Sequence, residues 1–126
     1  MSSAPGRLHA LRGAITADRN EAQEILDATT ELMHALIERN ELAPDDIVSC
    51  IFTVTDDLDA EFPAVAARAL GFEAVPLLCA REIPVPGALP RVIRVLIHYY
   101  PSDGDAADHV YLRGAEVLRA DLRAAQ

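Results

Sequence analysis

Residues 17–42, ADRNEAQEILDATTELMHALIERNEL, carry the longest helical signal of this chain. Ile25, Thr29, Leu32, Met33, Leu36 and Ile37 recur at helical spacing and make one apolar stripe. A stripe of that kind needs an apolar surface to lie on, and the rest of the chain supplies one as short β-rich runs. Asn20 is the expected N-cap, with Gln23 three residues on as in a capping box. Asn40 is expected to end the helix in a left-handed conformation.

The runs around this helix read in order. LHALRGAIT (8–16) is a strand with mixed faces, and IVSCIFTVT (47–55) is a buried strand. DDLDAEFP is a turn region, and AVAARALG is a short helix closed by Gly71. AVPLLCA is a third strand. REIPVPG is irregular, because Pro84 and Pro86 cannot donate to a ladder. RVIRVLIHYY is the fourth strand, PSDGDAAD a polar turn, and HVYLRGAEVLRADL begins as a fifth strand; RAAQ is expected to fray. The pattern β-α-β-α-β-β-β over 126 residues predicts one domain of the α/β (α+β) class, spanning 1–126, with helices mainly on one face of a sheet. The edges and second face of such a sheet are commonly covered by oligomerisation.

Charge and cysteine use narrow the function. The chain has 20 acidic against 11 basic residues, a net charge of −9, which argues against nucleic acid as a partner. All the basic residues are arginine, so a single surface arginine carries little information. Cys50 and Cys79 show no metal spacing, and a reduced, cytoplasmic protein is expected. The first residues lack an apolar signal core and no apolar run approaches ~20 residues, so neither a signal peptide nor a membrane span is expected. His9, His34, His98 and His109 have no mutual metal spacing, and no nucleophile triad or phosphate loop is present. Asp56 and Asp57 read as turn caps rather than a catalytic pair.

The informative residues are polar ones inside strands. By alternation, Arg12 shares a face with Ala10 and Ala14, Arg94 with Val92, Leu96 and His98, and Tyr111 with His109. Taken singly, Arg12 fits a solvated face, Tyr111 a half-buried strand, Cys79 a small buried hydrophobe and Glu82 a loop carboxylate pairing with Arg81 or Arg91. Arg94 fits the bland reading worst. An arginine within VIRVLI needs a carboxylate, a ligand or an interface.

LRGAIT, DLDAEFPAVAAR, VPLLCAREI, RVIRVL and HVYLRGAEVLRADL stand in that order and cover nearly the whole chain. Together they resemble the AroH-type chorismate mutases, the trimeric α/β class. The resemblance implies a mixed sheet with flanking helices, a homotrimeric pseudo-α/β-barrel and active sites between subunits. It implies rearrangement of chorismate to prephenate, on the way to phenylalanine and tyrosine, with no metal and no cofactor. Position by position, it implies that Arg12 and Tyr111 hold a substrate carboxylate, that Cys79 and Glu82 lie along the ring near its hydroxyl, and that Arg94 faces the ether oxygen. Phe62, Ala64 and Arg68 would form a wall given by the adjacent subunit, and Leu118 and Arg119 would close the site. Leu78 departs from the threonine familiar there and leaves only a backbone contact. Val65 departs from a charged entrance residue.

That chemistry suits the residues. The rearrangement is intramolecular, so the protein need only restrict the ether side chain and stabilise charge as the C–O bond breaks ahead of C–C bond formation. Two other readings use the same architecture: a non-catalytic trimeric sensor of an aromatic-pathway acid, and an imine deaminase. The joint presence of Arg94 and Glu82 argues against the sensor, and CAREI with HVYLRGAEVLR argues against the deaminase.

Overall fold

The computed structural model describes residues 6–102 and 106–119. The expected fraying of RAAQ and part of the expected turn at 101–108 lie outside these residues. Strands β1 (His9–Thr16), β2 (Ile47–Val54), β3 (Leu77–Arg81), β4 (Val92–Tyr99) and β5 (Val110–Leu112) form one sheet in the order β3-β2-β4-β1-β5. Both β1 and β2 run antiparallel to β4, while β3 and β5 lie parallel to their neighbours at the two edges. The sheet is mixed, as the family resemblance implies.

Helix α1 (Ala22–Asn40) buries Ile25, Ala28, Thr29, Leu32, Met33 and Leu36 on one side of that sheet. There they meet Leu11, Ile15, Phe52, Ile93, Val95 and Ile97, which strand alternation sends to the same face. The hydroxyl of Thr29 donates to Ile25 O at 2.7 Å, so its burial leaves no unmatched donor. Helix α2 (Ala64–Ala67) adds Ala64 and Ala67 to the same core, and a wider helical turn over Arg68–Phe72 follows, with Gly71 at φ 102°. None of the described helices is long and apolar enough to cross a membrane.

Gly13 is where α1 presses closest. A Cβ there would lie 2.8 Å from Leu36 Cδ1 and 3.2 Å from both Leu32 Cδ1 and Val95 Cγ1. Gly13→Ala is expected to cost about 1–3 kcal/mol by overpacking, read as a lower urea midpoint at unchanged slope and fixed protein concentration.

Both expected caps of α1 are corrected. The N-cap position belongs to Glu21, which makes no side-chain cap bond. Asn20 instead holds the turn after β2: its Oδ1 accepts from the main-chain N–H groups of Asp59 and Ala60, each at 3.0 Å, and its Nδ2 donates to Asp59 Oδ1. Three bonds to that turn outweigh the single bond a cap would offer. At the other end Glu41, not Asn40, is left-handed, at φ 51°. Asn40 brackets Asp108, accepting from its N–H and donating to its carbonyl, and so fastens the approach to β5 onto α1. Gln23, the other half of the expected capping box, donates to Asp27 Oδ1. The third strand starts at Leu77 rather than Ala74, and the fifth extends only over Val110–Leu112 before a short 3-10 turn.

Candidate active site

The face of the sheet opposite the helices carries the polar strand residues. The pairing register lines them up across four strands. Thr53 of β2 lies opposite Arg94 of β4, Arg94 opposite Ala14 of β1, and Ala14 beside Tyr111 of β5. The next row holds Ile51, Leu96 and Arg12. Ala14 is the small member of its row. Its methyl leaves a depression between two long side chains, and a cavity of about 280 Å³ opens over it. Arg12, Thr53, Glu82, Arg94 and Tyr111 all line this cavity.

Glu82 follows the last residue of β3 and alternates to the face opposite Cys79 and Arg81. Its main-chain N–H donates to Val54 O at 2.9 Å, and its side chain turns toward the open face. The hydroxyl of Thr53 donates to Glu82 Oε2. The same carboxylate oxygen stands 3.2 Å from Arg94 Nε. That is an ion-pair distance without hydrogen-bond alignment, and Arg94 Nε is a buried donor left unmatched. The side chain as a whole keeps 43% of its surface exposed. The guanidinium is therefore held electrostatically at its buried Nε edge, and the side chain is exposed beyond it. Glu82 does not pair with Arg81 or Arg91. Arg81 pairs with Asp56 at 3.2 Å, and the main-chain N–H of Arg91 donates to both oxygens of Asp57. The two aspartates thus serve the turn, as their sequence context predicts.

Tyr111 of β5 lines the cavity, whereas Leu118 and Arg119 in the segment after β5 do not. Tyr111, 6% exposed, packs with Ala14, Val92 and Ala115 in a small apolar cluster that Leu118 flanks. The Arg119 guanidinium carbon lies 5.3 Å from the Tyr111 ring centroid, a cation–π arrangement. Arg113, at φ 53°, ties this segment to α1 through Glu24 at 3.1 Å and Glu31 at 2.8 Å, and donates to Thr16 O.

The remaining expected residues do not reach this cavity in the same chain. Cys79 lies opposite Phe52, a fully buried helix-side residue, and parallel neighbours point the same way. Cys79 therefore packs toward the helical core and not beside Glu82. With Leu58, Phe62 and Arg81 it lines a separate cavity of about 420 Å³. Phe62 is 66% and Leu78 60% exposed, Arg68 is also exposed, and Ala64, the first residue of α2, is buried. Cys50 is an inert core thiol, its pKa pushed up to about 12 mainly by burial and further by the neighbouring Cys79. Among the described residues no group of His, Cys, Asp and Glu could hold a metal.

Thr53 is the lining residue that sequence reasoning passed over. Alternation puts it on the face of Ser49 and Ile51, but its place opposite Arg94 depends on the β2–β4 register, which includes a shift between Ile47 and Ser49. Thr53→Val keeps the volume and removes the donor to Glu82. It is expected to lower kcat/KM for the reaction about tenfold with unchanged stability, checked by steady-state kinetics beside urea unfolding.

Known proteins converge on one family. Residues 8–122 match the family model described as chorismate mutase type I. The chorismate mutase AroH of Thermus thermophilus is 49% identical over 118 residues, 92% of this chain and 97% of the relative. The AroH of Bacillus subtilis (strain 168) is 40% identical over 117 residues, 91% of this chain and 92% of the relative. A solved chorismate mutase from Clostridium thermocellum superposes with a TM-score of 0.82 at 49% identity, covering 86% of this chain and 97% of its own. A mixed sheet with one helical face, a polar cavity on the other and these matches across most of the chain together mean that it belongs to the type I chorismate mutase family.

Proposed function

We propose that this chain carries out its family's reaction, the rearrangement of chorismate to prephenate, with Arg94 as the electrostatic device. The observation that carries the assignment of Arg94 is its setting: an arginine inside an apolar strand, ion-paired to Glu82 through its buried Nε and partly exposed at the wall of a cavity. A guanidinium held at its Nε edge by a carboxylate and exposed beyond it suits an oxygen that gains charge during reaction. The ether oxygen of chorismate becomes negative as its C–O bond lengthens.

The other residues divide the work. Glu82, held by Thr53 and Arg94, keeps a negative charge beside the ring as the ring becomes electron-poor, and accepts from the ring hydroxyl. Arg12 and Tyr111 hold a carboxylate, and Leu118 and Arg119 close over that end. The substrate's two carboxylates fix the ends of the molecule, so that the ether side chain is confined to its compact, reactive shape. The assignment needs no nucleophile, base or cofactor from the protein.

The rest of the site comes from a second subunit. In support, the cavity lined by Phe62 and Cys79 is separate from the one lined by Arg94 within one chain. Phe62, Leu78 and Ile83 also expose large apolar side chains, Ile83 to 81%. A cyclic homotrimer would bring the two half-sites of adjacent copies together, with Phe62, Ala64 and Arg68 as the wall. We read the chain as one cytoplasmic domain, in keeping with its free cysteines.

The direct test is the loss of chorismate absorbance on adding purified protein, with prephenate identified as product, beside Arg94→Ala. Rapid turnover by the wild type alone supports the assignment. An oligomeric, folded wild type that leaves chorismate intact overturns it and favours the sensor or deaminase.

A further inference from the structure

His109 stands where three elements of the site meet. Its Nδ1 accepts the main-chain N–H of Arg12 at 3.0 Å. Its carbonyl accepts from Arg119 Nη2 at 3.3 Å. The residue after it opens β5, and Tyr111 follows one position later. β5 is an edge strand of three residues, paired with β1 over only Gly13, Ala14 and Ile15. The imidazole extends that short ladder by one bond, in the place a main-chain carbonyl would take. Its expected position on the face of Tyr111 is corrected accordingly.

We propose that His109 is a positioning residue: as a neutral acceptor it locks Arg12, Tyr111 and Arg119 into one carboxylate-binding unit and releases that unit when it is protonated. The inference rests on the functional reading above, which assigns those three residues to the substrate. A neutral imidazole that accepts at Nδ1 carries its proton on Nε2. Protonation turns the acceptor into a donor facing the Arg12 N–H, and adds a positive charge near Arg12 and Arg119. The charged groups around the ring are Arg12 from β1, Arg119 from the segment after β5, and Asp108 on its own segment. Burial, then Arg12 and Arg119, hold the His109 pKa below the ordinary histidine value against the opposing pull of Asp108. The acceptor is thus present at neutral pH and lost as pH falls below the usual histidine range.

The test compares the wild type with His109→Asn and His109→Leu. Asparagine keeps a neutral acceptor close to the position of Nδ1, and leucine keeps bulk alone. Carboxylate grip that is equal in ground and transition states appears in KM, so KM is the readout. His109→Leu is expected to raise KM for chorismate roughly fivefold with kcat within about twofold of wild type. His109→Asn should restore KM at neutral pH. Wild-type KM should climb on the acid side, and that rise should vanish in His109→Asn. In nitrogen-edited NMR spectra the Arg12 amide should shift with the titration of His109. An unchanged KM in His109→Leu overturns the proposal, and so does a His109→Asn as impaired as His109→Leu. An Arg12 amide blind to the His109 titration overturns it as well. A wild type that does not convert chorismate fails the functional reading instead, and the amide titration then decides the His109–Arg12 contact on its own.

Discussion

Replacing Arg94 by alanine is expected to lower kcat by more than the roughly 10²–10³-fold typical of losing one oxyanion-type donor, because a full charge leaves with the donors. The register explains why no neighbour compensates. Arg94 lies between Thr53 and Ala14 across the sheet, a hydroxyl and a methyl, and neither carries charge. Among the described residues that line the cavity, the other cation is Arg12, one row away. Citrulline at position 94, placed by semisynthesis, separates the two contributions. It keeps the planar shape and most donors and loses the charge. If charge on the developing oxygen is the dominant effect, the citrulline protein also loses most of its kcat, with KM much less affected. A citrulline protein that retains wild-type kcat would leave shape and hydrogen bonding as the explanation. Arg94→Lys is expected to fail as well, since an ammonium lacks the fork that spans Glu82 and the substrate together. Folding must be verified alongside, because removing Arg94 also frees the Glu82 carboxylate, 23% exposed, from its cation.

The second large effect is a gain. If the chain assembles as the proposed homotrimer, Arg68→Ala and Arg94→Ala alter opposite half-sites, and each variant alone is expected to be nearly inactive. Mixing the two after mild dissociation gives heterotrimers in which some sites pair an intact Arg94 half with an intact Arg68 half. Random reassembly of equal amounts gives about one intact site in four. Activity should therefore rise from near zero to about a quarter of wild type, with no new protein added. Size-exclusion chromatography with light scattering establishes the mass of the mixed species. If mixing restores nothing although subunits have exchanged, the site lies within one chain. The exposed Phe62 and Leu78 then need another partner.

The sequence carried the pattern on which all of this rests. The 3.6-residue stripe of α1 and the alternation within β1, β2 and β4 are local properties, set by backbone geometry and side-chain size. They predict the layers, the buried face, and the opposite-face placement of Arg12, Arg94 and Tyr111. They make Arg94 conspicuous in the bare run of residues, since a guanidinium among Val92, Ile93, Val95 and Leu96 has no local partner. The five ordered motifs supply the family, and the matches across most of the chain bear that out.

What depended on tertiary structure is everything set by a register or by a choice among partners. Asn20 and Asn40 have the local chemistry of caps, yet Asn20 spends its amide on the distant turn Asp59–Ala60, and Asn40, while donating back to Leu36 O, makes two bonds with distant Asp108. Cys79 and Glu82 are neighbours in CAREI, and three residues apart they take opposite faces, but only the docking of β3 beside β2 decides that Cys79 joins Phe52 on the helical side and Glu82 the open face. Thr53 and His109 look like ordinary strand-region residues. Only the β2–β4 pairing puts Thr53 against Glu82 and Arg94, and only the parallel docking of β5 puts the His109 imidazole on the Arg12 N–H. Periodicity is written residue by residue, and so the sequence by itself determined which faces are apolar and which residues are out of place on them. Partnership is decided by which distant groups the folded chain brings within hydrogen-bond reach, a property that no single stretch of sequence contains.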